Sequence, residues 1–316
     1  MKNTVYLIGT GKMAIEYARI IKALEYEIVV VGRGVKSARN FHSKTGIEPH
    51  IGGLDLFLNS QVIDKNSFVI IATGTEQLMP LLLTLLKKGL VKILIEKPAA
   101  LTIQELIFHE NEFINAEIFV AYNRRFYSSV IEAKNLIKID GGLESMNFEF
   151  TEWSHQIVDL PCSKQLKNNW FFLNSTHVID LAFYFAGTPI EWSAYYKNGN
   201  LSWHKQSMFS GAGLTNNNVI FSYKANWESA GRWGLELLTK KRKIILSPLE
   251  KVYIQNRGSI LIYEHQINDL LDIEYKPGLF LQTKSFLENR QSESLIEINE
   301  HIKMSKKIYL KMLNNN

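Results

Sequence analysis

Cysteine is almost missing. One residue, Cys162, occurs in 316, so no intrachain disulfide can form, and such sparing thiol use fits a reducing compartment. Long apolar runs are missing too. The longest, over residues 78–86, is broken by Pro80 and Thr84 and falls far short of the ~20 residues a membrane-crossing helix needs. At the amino terminus Lys2 leads directly into a strand-like run, and Gly9, Gly11, Lys12 and Glu16 interrupt the apolar region a signal peptide would require. The expectation is a cytoplasmic chain without membrane contact. Concentrated positive charge is the third absence. The net charge is +5 and the pI about 9.0, yet the basic residues are scattered except at Lys240-Lys241-Arg242-Lys243. Nucleic-acid binders gather such charge on one face, so no nucleic-acid partner is expected. A nucleotide or a phosphorylated small molecule accounts better for the excess, and no metal site is expected.

Hydrophobic residues make up 46% of the chain, and single cores rarely grow past ~250 residues, so two domains are expected, 1–121 and 122–316. The first third alternates strand and helix patterns. Residues 4–8 form a short β-rich run, and Met13, Tyr17, Ile20, Ile21 and Leu24 then repeat at helical spacing. Strand-like runs return at 27–31, 68–72, 92–95 and 117–121, separated by helical stretches such as 77–88 and 103–115. Nearly continuous Val and Ile in these strands means burial on both faces, which predicts an α/β fold with a doubly wound parallel sheet of the Rossmann kind. After residue 122 one helix, 128–139, precedes strands at 143–150, 219–223, 233–238, 243–246 and 252–255, with turns at Asn198-Gly199-Asn200 and Asn256-Arg257-Gly258. That pattern predicts an α+β domain with a large open antiparallel or mixed sheet. No internal repeat is present, and the only low-complexity run is Asn314-Asn315-Asn316.

Gly9-Thr10-Gly11-Lys12-Met13-Ala14 follows the first strand and opens the first helix. Glycines there let the backbone approach a pyrophosphate at the helix amino terminus, the arrangement of a dinucleotide fingerprint. At the end of the second strand, where an NAD-preferring protein usually offers a carboxylate to the ribose hydroxyls, the chain has Gly32-Arg33-Gly34. A guanidinium makes paired charge-assisted bonds to phosphate oxygens. Arg33 therefore points to NADP(H) as the preferred cofactor, with NAD(H) remaining open.

Two candidate proton-handling groups stand in this setting. Lys97 lies in Glu96-Lys97-Pro98, and His177 in Asn174-Ser175-Thr176-His177-Val178-Ile179-Asp180. Together with the fingerprint they suggest a redox enzyme. Asp180, three residues after His177, shares its helical face and is read as structural. Residues 153–174 hold Trp153, His155, Trp170, Phe171 and Phe172, whose rings suit stacking on a sugar or base and suit core packing equally. Arg124 and Arg125 suit a substrate phosphate or carboxylate, or an ion pair. Residues 225–233 are read as part of an exposed sheet face used in assembly.

These motifs occur in a familiar order. The Gly9 to Ala14 turn, Ala72-Thr73, Glu96-Lys97-Pro98, Tyr122-Asn123-Arg124-Arg125-Phe126 and His177-Val178-Ile179-Asp180 together resemble the Gfo/Idh/MocA oxidoreductases, the glucose-fructose oxidoreductase and inositol dehydrogenase group. The resemblance implies an amino-terminal Rossmann domain. It also implies a carboxy-terminal sheet domain whose open face serves substrate binding and oligomer contacts, as a dimer or tetramer. Carried over residue by residue, it places Gly9, Thr10, Gly11, Lys12, Met13, Arg33, Thr73, Gly74, Glu96 and Lys97 around the cofactor. It places Asn123, Arg124, Trp170, Asn174 and His177 around the substrate. Lys97 would stand beside the nicotinamide and the reacting oxygen, Pro98 would fix its approach, and His177 would act as general acid or base.

One departure bears on mechanism. Polyol-oxidising members commonly place Asp four residues before this His and Gly two before, where this chain has Leu173 and Ser175. The mechanism must then lean on Lys97 and His177. The residues around Asn174 and His177 look similar to members from surface-polysaccharide sugar pathways, so the expected substrate is a sugar or nucleotide-sugar, oxidised or reduced at a ring carbon. Two other readings stay open: a cofactor-binding regulator without turnover, and a redox-neutral enzyme holding NAD tightly.

Overall fold

The computed structural model describes residues 4–314; Lys2, and Asn315 and Asn316 of the terminal asparagine run, lie outside the described residues. The chain forms two compact units, one from residues up to Asn123 together with Leu271–Lys303, the other from Arg124–Leu270 together with residues from Met304 onward.

The first unit alternates β1 (Val5–Ile8), α1 (Lys12–Ala23), β2 (Ile28–Gly32), α2 (Val35–Thr45), β3 (His50–Ile51), α3 (Leu54–Ser60), β4 (Phe68–Ile71), α4 (Thr75–Lys87), β5 (Lys92–Glu96), α5 (Ile103–Phe108) and β6 (Glu117–Ala121). The strands align as β6-β5-β4-β1-β2-β3, all parallel. The sequence dictates this arrangement. β4 reads Phe-Val-Ile-Ile and is buried at every position, so the sheet needs helices on both faces. α1 supplies one such cover through Ala14, Tyr17, Ala18, Ile20 and Ile21. The expected helix over 103–115 stops at Phe108 and gives way to a 3-10 turn at Glu110–Phe113. Phe108 and Ile114 are exposed there and only Phe113 turns inward, so no apolar stripe prolongs the α geometry.

The second unit begins with α6 (Ser128–Asp140) and β7 (Ser145–Glu149), passes through α7 (Ser154–Ile157), α8 (Lys164–Asn168) and a π turn at Phe171–Ser175, and enters α9 (Thr176–Ala186). It then lays down β8 (Pro189–Asn198), β9 (Gln206–Thr215), β10 (Ile220–Asn226), β11 (Gly234–Leu238), β12 (Arg242–Leu246), β13 (Tyr253–Asn256) and β14 (Ile262–Glu264). The order is β14-β13-β12-β11-β7-β10-β9-β8, with β7 and β10 parallel and the other pairs antiparallel. Period-two patterning gives the sheet one apolar face. Met146, Phe148, Phe221, Tyr223, Leu235, Leu237, Ile244 and Leu246 are buried. Phe183 of α9 packs edge-on against Phe148 and Phe221 from that side.

Three sequence expectations change here. The long pair β8 and β9 had no counterpart among the expected strands, because β9 reads Gln-Ser-Met-Phe-Ser-Gly-Ala-Gly-Leu-Thr and glycine weakens a strand signal. The glycines serve close approach: a Cβ on Gly211 would meet the Tyr223 ring at 2.4 Å and one on Gly213 the Trp192 Cβ at 2.2 Å. Residues 225–233 are not an exposed sheet face. Trp227 is fully buried, donates its indole N–H to the Phe150 carbonyl at 3.2 Å and stacks on Trp203, and Trp233 is buried as well.

The third change concerns the last stretch. Beyond α10 (Leu270–Glu274), α11 (Leu279–Glu288) and β15 (Ile296–Glu297) pack with the first unit, while α12 (Ile298–Met304) and α13 (Leu310–Leu313) complete the chain. Residues 271–303 therefore depart from the expected 122–316 domain. β15 adds an antiparallel edge to β6, and Phe286 of α11 sets its ring 5.5 Å from Phe68 and 6.1 Å from Phe119, covering apolar surface that would otherwise face water. Among the described residues no helix is long and apolar enough to cross a membrane.

Candidate functional site

In the first unit, α1, α2, α3 and α4 each begin at a glycine, namely Gly11, Gly34, Gly53 and Gly74, and none of the four starts is capped by a side chain. Uncapped helix starts leave backbone N–H groups to bind an anion and present the positive end of the helix dipole. All four glycines line one cleft of about 600 Å³, together with Gly9, Thr10, Lys12, Met13, Arg33, Thr73 and Asp55. Gly9 has φ +128°, and a Cβ there would stand 2.3 Å from the Ala72 carbonyl oxygen, so only glycine lets the turn pass this close to β4. A Cβ on Gly11 or Gly74 would meet nothing within 4 Å; these positions open into the cleft. Thr10 donates to the Ser37 hydroxyl at 3.0 Å, tying the β1 turn to the start of α2. The cleft fits a dinucleotide. Seven of the residues expected around the cofactor come together here from β1, α1, β4 and α4, and Arg33 joins them from the end of β2. Asp55, which sequence reasoning did not single out, faces the same cleft; its signal was an acidic residue two positions after the Gly52-Gly53 pair.

Glu96 ends β5 and accepts the Tyr17 hydroxyl at 2.9 Å. Burial pushes the Glu96 carboxyl up, against the pull of Tyr17, Lys97 and Lys276. The Lys97–Pro98 peptide is cis, and the buried His301 ring nitrogen meets the Pro98 carbonyl at 3.2 Å. Asn123 lies at the end of this unit with its amide nitrogen donating to the Pro277 carbonyl at 2.9 Å.

The second unit builds a polar cluster around His177, which is buried at the start of α9. Its ring lies 6.1 Å from that of Trp233. Asp180 does not stand alone: Arg125 Nε and Nη2 donate to its two oxygens at 2.8 and 2.6 Å, both side chains being buried. Burial opposes the Arg125 charge and Asp180 more than offsets it, so the guanidinium sits above its usual value. Losing one partner of such a pair costs about 3–5 kcal/mol, so Asp180 supports the fold next to His177 by way of Arg125.

Glu152 is a second residue that sequence reasoning missed. It is 1% exposed and accepts from the Ser175 hydroxyl at 2.8 Å and from Asn174 Nδ2 at 3.0 and 3.1 Å. Arg232 approaches at 3.5 Å. Burial pushes the Glu152 carboxyl up, while Ser175, Arg232 and Asn174 pull it back. A carboxylate is therefore present beside the two residues that precede Thr176 and His177, although position 173 is Leu. Asn174, expected at the substrate, spends its amide nitrogen on Glu152 and keeps its oxygen for another donor. Trp170 is half-buried and meets Trp203 edge to face at 6.1 Å.

Comparison with known proteins fits this geometry. Residues 4–113 match the family model described as an oxidoreductase family with an NAD-binding Rossmann fold, GFO_IDH_MocA. Over that span the chain matches the NAD-binding Rossmann domain of this oxidoreductase family. No curated protein sequence matches the chain. Among solved structures, it is similar to an oxidoreductase from Agrobacterium radiobacter in complex with NAD+, L-tartaric acid and magnesium, at TM-score 0.75 and 14% identity over 99% of this chain and 97% of that one. It is similar to levoglucosan dehydrogenase in complex with NADH and L-sorbose, at TM-score 0.73 and 17% identity over 99% and 97%. A third similar structure, described as a candidate NADPH-dependent oxidoreductase from Desulfitobacterium hafniense, has TM-score 0.76 and 11% identity over 100% and 96%. Identities this low establish the fold.

Proposed function

We propose that the protein is a nicotinamide-dependent dehydrogenase or reductase acting on a CH–OH group of a sugar or nucleotide-sugar, in surface-polysaccharide sugar metabolism in the cytoplasm. The observation that carries the reading is the convergence of four glycine-started, uncapped helices on one cleft that also holds Lys12 and Arg33. When bound, the nicotinamide supplies hydride exchange at its C4 with a ring carbon of the substrate. Lys97 polarises the oxygen on that carbon, and His177 takes up or returns its proton. Asn123, Arg124, Trp170 and Asn174 hold the substrate. For Asn174 the bond to Glu152 turns the amide oxygen into the available acceptor, which suits a sugar hydroxyl.

Arg33, between Gly32 and Gly34 on the cleft wall, supports NADP(H) over NAD(H), with its guanidinium on the 2'-phosphate. Assembly as a dimer or tetramer is placed on the open face of the second sheet, where Asn147, Glu149, Ser210, Ser222 and Lys224 border a groove of about 870 Å³; sedimentation of the purified protein checks it.

Titration with NADPH and NADH, followed by tryptophan fluorescence, tests the cofactor reading. The expected outcome is preference for NADPH, with Arg33→Ala weakening NADPH by on the order of 10- to 100-fold, the worth of a lost charge-assisted phosphate contact, and leaving NADH nearly unchanged. Equal loss for both cofactors removes the 2'-phosphate role, and no binding of either removes the proposed function.

A further inference from the structure

Two guanidiniums share one indole in the second unit. Arg124 Cζ lies 4.8 Å and Arg232 Cζ 4.6 Å from the Trp233 ring centroid, Trp153 takes the Arg232 group at 4.5 Å, and the Trp233 ring also lies 6.1 Å from that of His177. We infer that Arg124 and Arg232, held on Trp233, form a subsite for one anionic group on the substrate, a carboxylate or a phosphate. The inference rests on His177 facing the substrate.

The neighbouring arginine shows how this fold treats a guanidinium that is purely structural: Arg125 is saturated by both oxygens of Asp180. Arg124 is different. No carboxylate lies within 4.0 Å of it among the described residues, and its Nε is buried with no hydrogen-bond partner. Burial works against its charge, the solvent-exposed Glu250 and the buried Glu152 act on it only from beyond ion-pair distance, and Arg232 repels it. Arg232 is 43% exposed at its side chain and meets Glu152 only at 3.5 Å, while that carboxylate is already shared by Ser175 and Asn174. Two like charges brought to one ring are unfavourable unless a counter-charge joins them. An indole face offsets part of that cost. A carboxylate or phosphate has several acceptor oxygens and can take N–H groups from both arginines at once; a neutral hydroxyl cannot neutralise either. The cluster is thus built for an acidic sugar or a sugar phosphate.

Isothermal titration of the NADPH-loaded protein at constant ionic strength with D-glucuronate, D-glucose 6-phosphate and D-glucose tests this, the first two separating carboxylate from phosphate. At least one acidic sugar should bind about 10-fold or more tightly than glucose. Arg124→Gln and Arg232→Gln should each abolish that advantage, and Arg124→Lys should keep part of it. Arg232 is surface-accessible, so its variant should retain the parent melting curve and remain informative where an Arg124 variant is damaged. Glucose binding as well as both acidic sugars, binding of neither acidic sugar, or an advantage that survives both substitutions overturns the subsite. Failure to bind either NADPH or NADH defeats the cofactor reading alone, and the same titrations on cofactor-free protein then decide the subsite.

Discussion

Glu152 carries its charge at a cost that depends on pH. Burial raises its proton affinity in the folded chain, whereas the unfolded chain titrates in the ordinary carboxylate range, about 4.3. The folded state therefore holds the proton more tightly. The group's contribution to stability is fully present below the ordinary value and is lost as pH rises through the raised one. Glu152→Gln should remove that loss: the stability difference between variant and parent, measured by denaturant unfolding at pH 4 and pH 8, should move in the variant's favour at the higher pH. A difference independent of pH rejects a raised Glu152. The residue was hidden in the sequence because nothing in Thr151-Glu152-Trp153 marks a carboxylate as buried. Its partners Asn174, Ser175 and Arg232 lie 22, 23 and 80 positions away. Gly9 was legible because it sits in a short motif whose chemistry is local.

Among the elements, α11 has the clearest energetic role that patterning failed to announce. Phe286 is fully buried and meets Phe68 of β4 and Phe119 of β6. Phe286→Ala should destabilise the protein by about 3–5 kcal/mol, read as a lowered denaturant midpoint, with the second unit's sheet intact. The parallel strands of the first unit were readable because their Val and Ile runs admit only double-sided burial. β8 and β9 were not, since their pairing relies on Gly211 and Gly213 making room for Tyr223 and Trp192, a reason invisible without the neighbouring strand. The helix starts fall between these cases. Gly11 was legible through its motif and Gly74 through the family resemblance, whereas the convergence of Gly34 and Gly53 on the same cleft needed the sheet order.

For the whole molecule, the return of residues 271–303 to the first unit has a direct consequence. A fragment of residues 4–123 lacks β15 on the edge of β6 and lacks Phe286 over Phe68 and Phe119, so it should expose that apolar surface and fail to give a dispersed amide spectrum. The full chain should give one. A well-folded 4–123 fragment would show that the returning segment is dispensable. The two-domain expectation placed the first boundary near residue 121, close to Asn123 where the first stretch of that unit ends. It assigned everything afterwards to one domain, because composition carries no sign of a chain that crosses back.

The Rossmann sheet, the glycine turn, the mixed second sheet and the motifs bearing Lys97 and His177 were determined by local patterns: periodicity, turn chemistry and residues a few positions apart. The Arg125–Asp180 pair, the Glu152 carboxylate beside Asn174 and the two arginines on Trp233 were decided only in three dimensions. Each joins side chains 22 or more positions apart, apart from the adjacent Arg232 and Trp233. The energy of a buried charge depends on which distant groups the fold brings within a few ångströms of it.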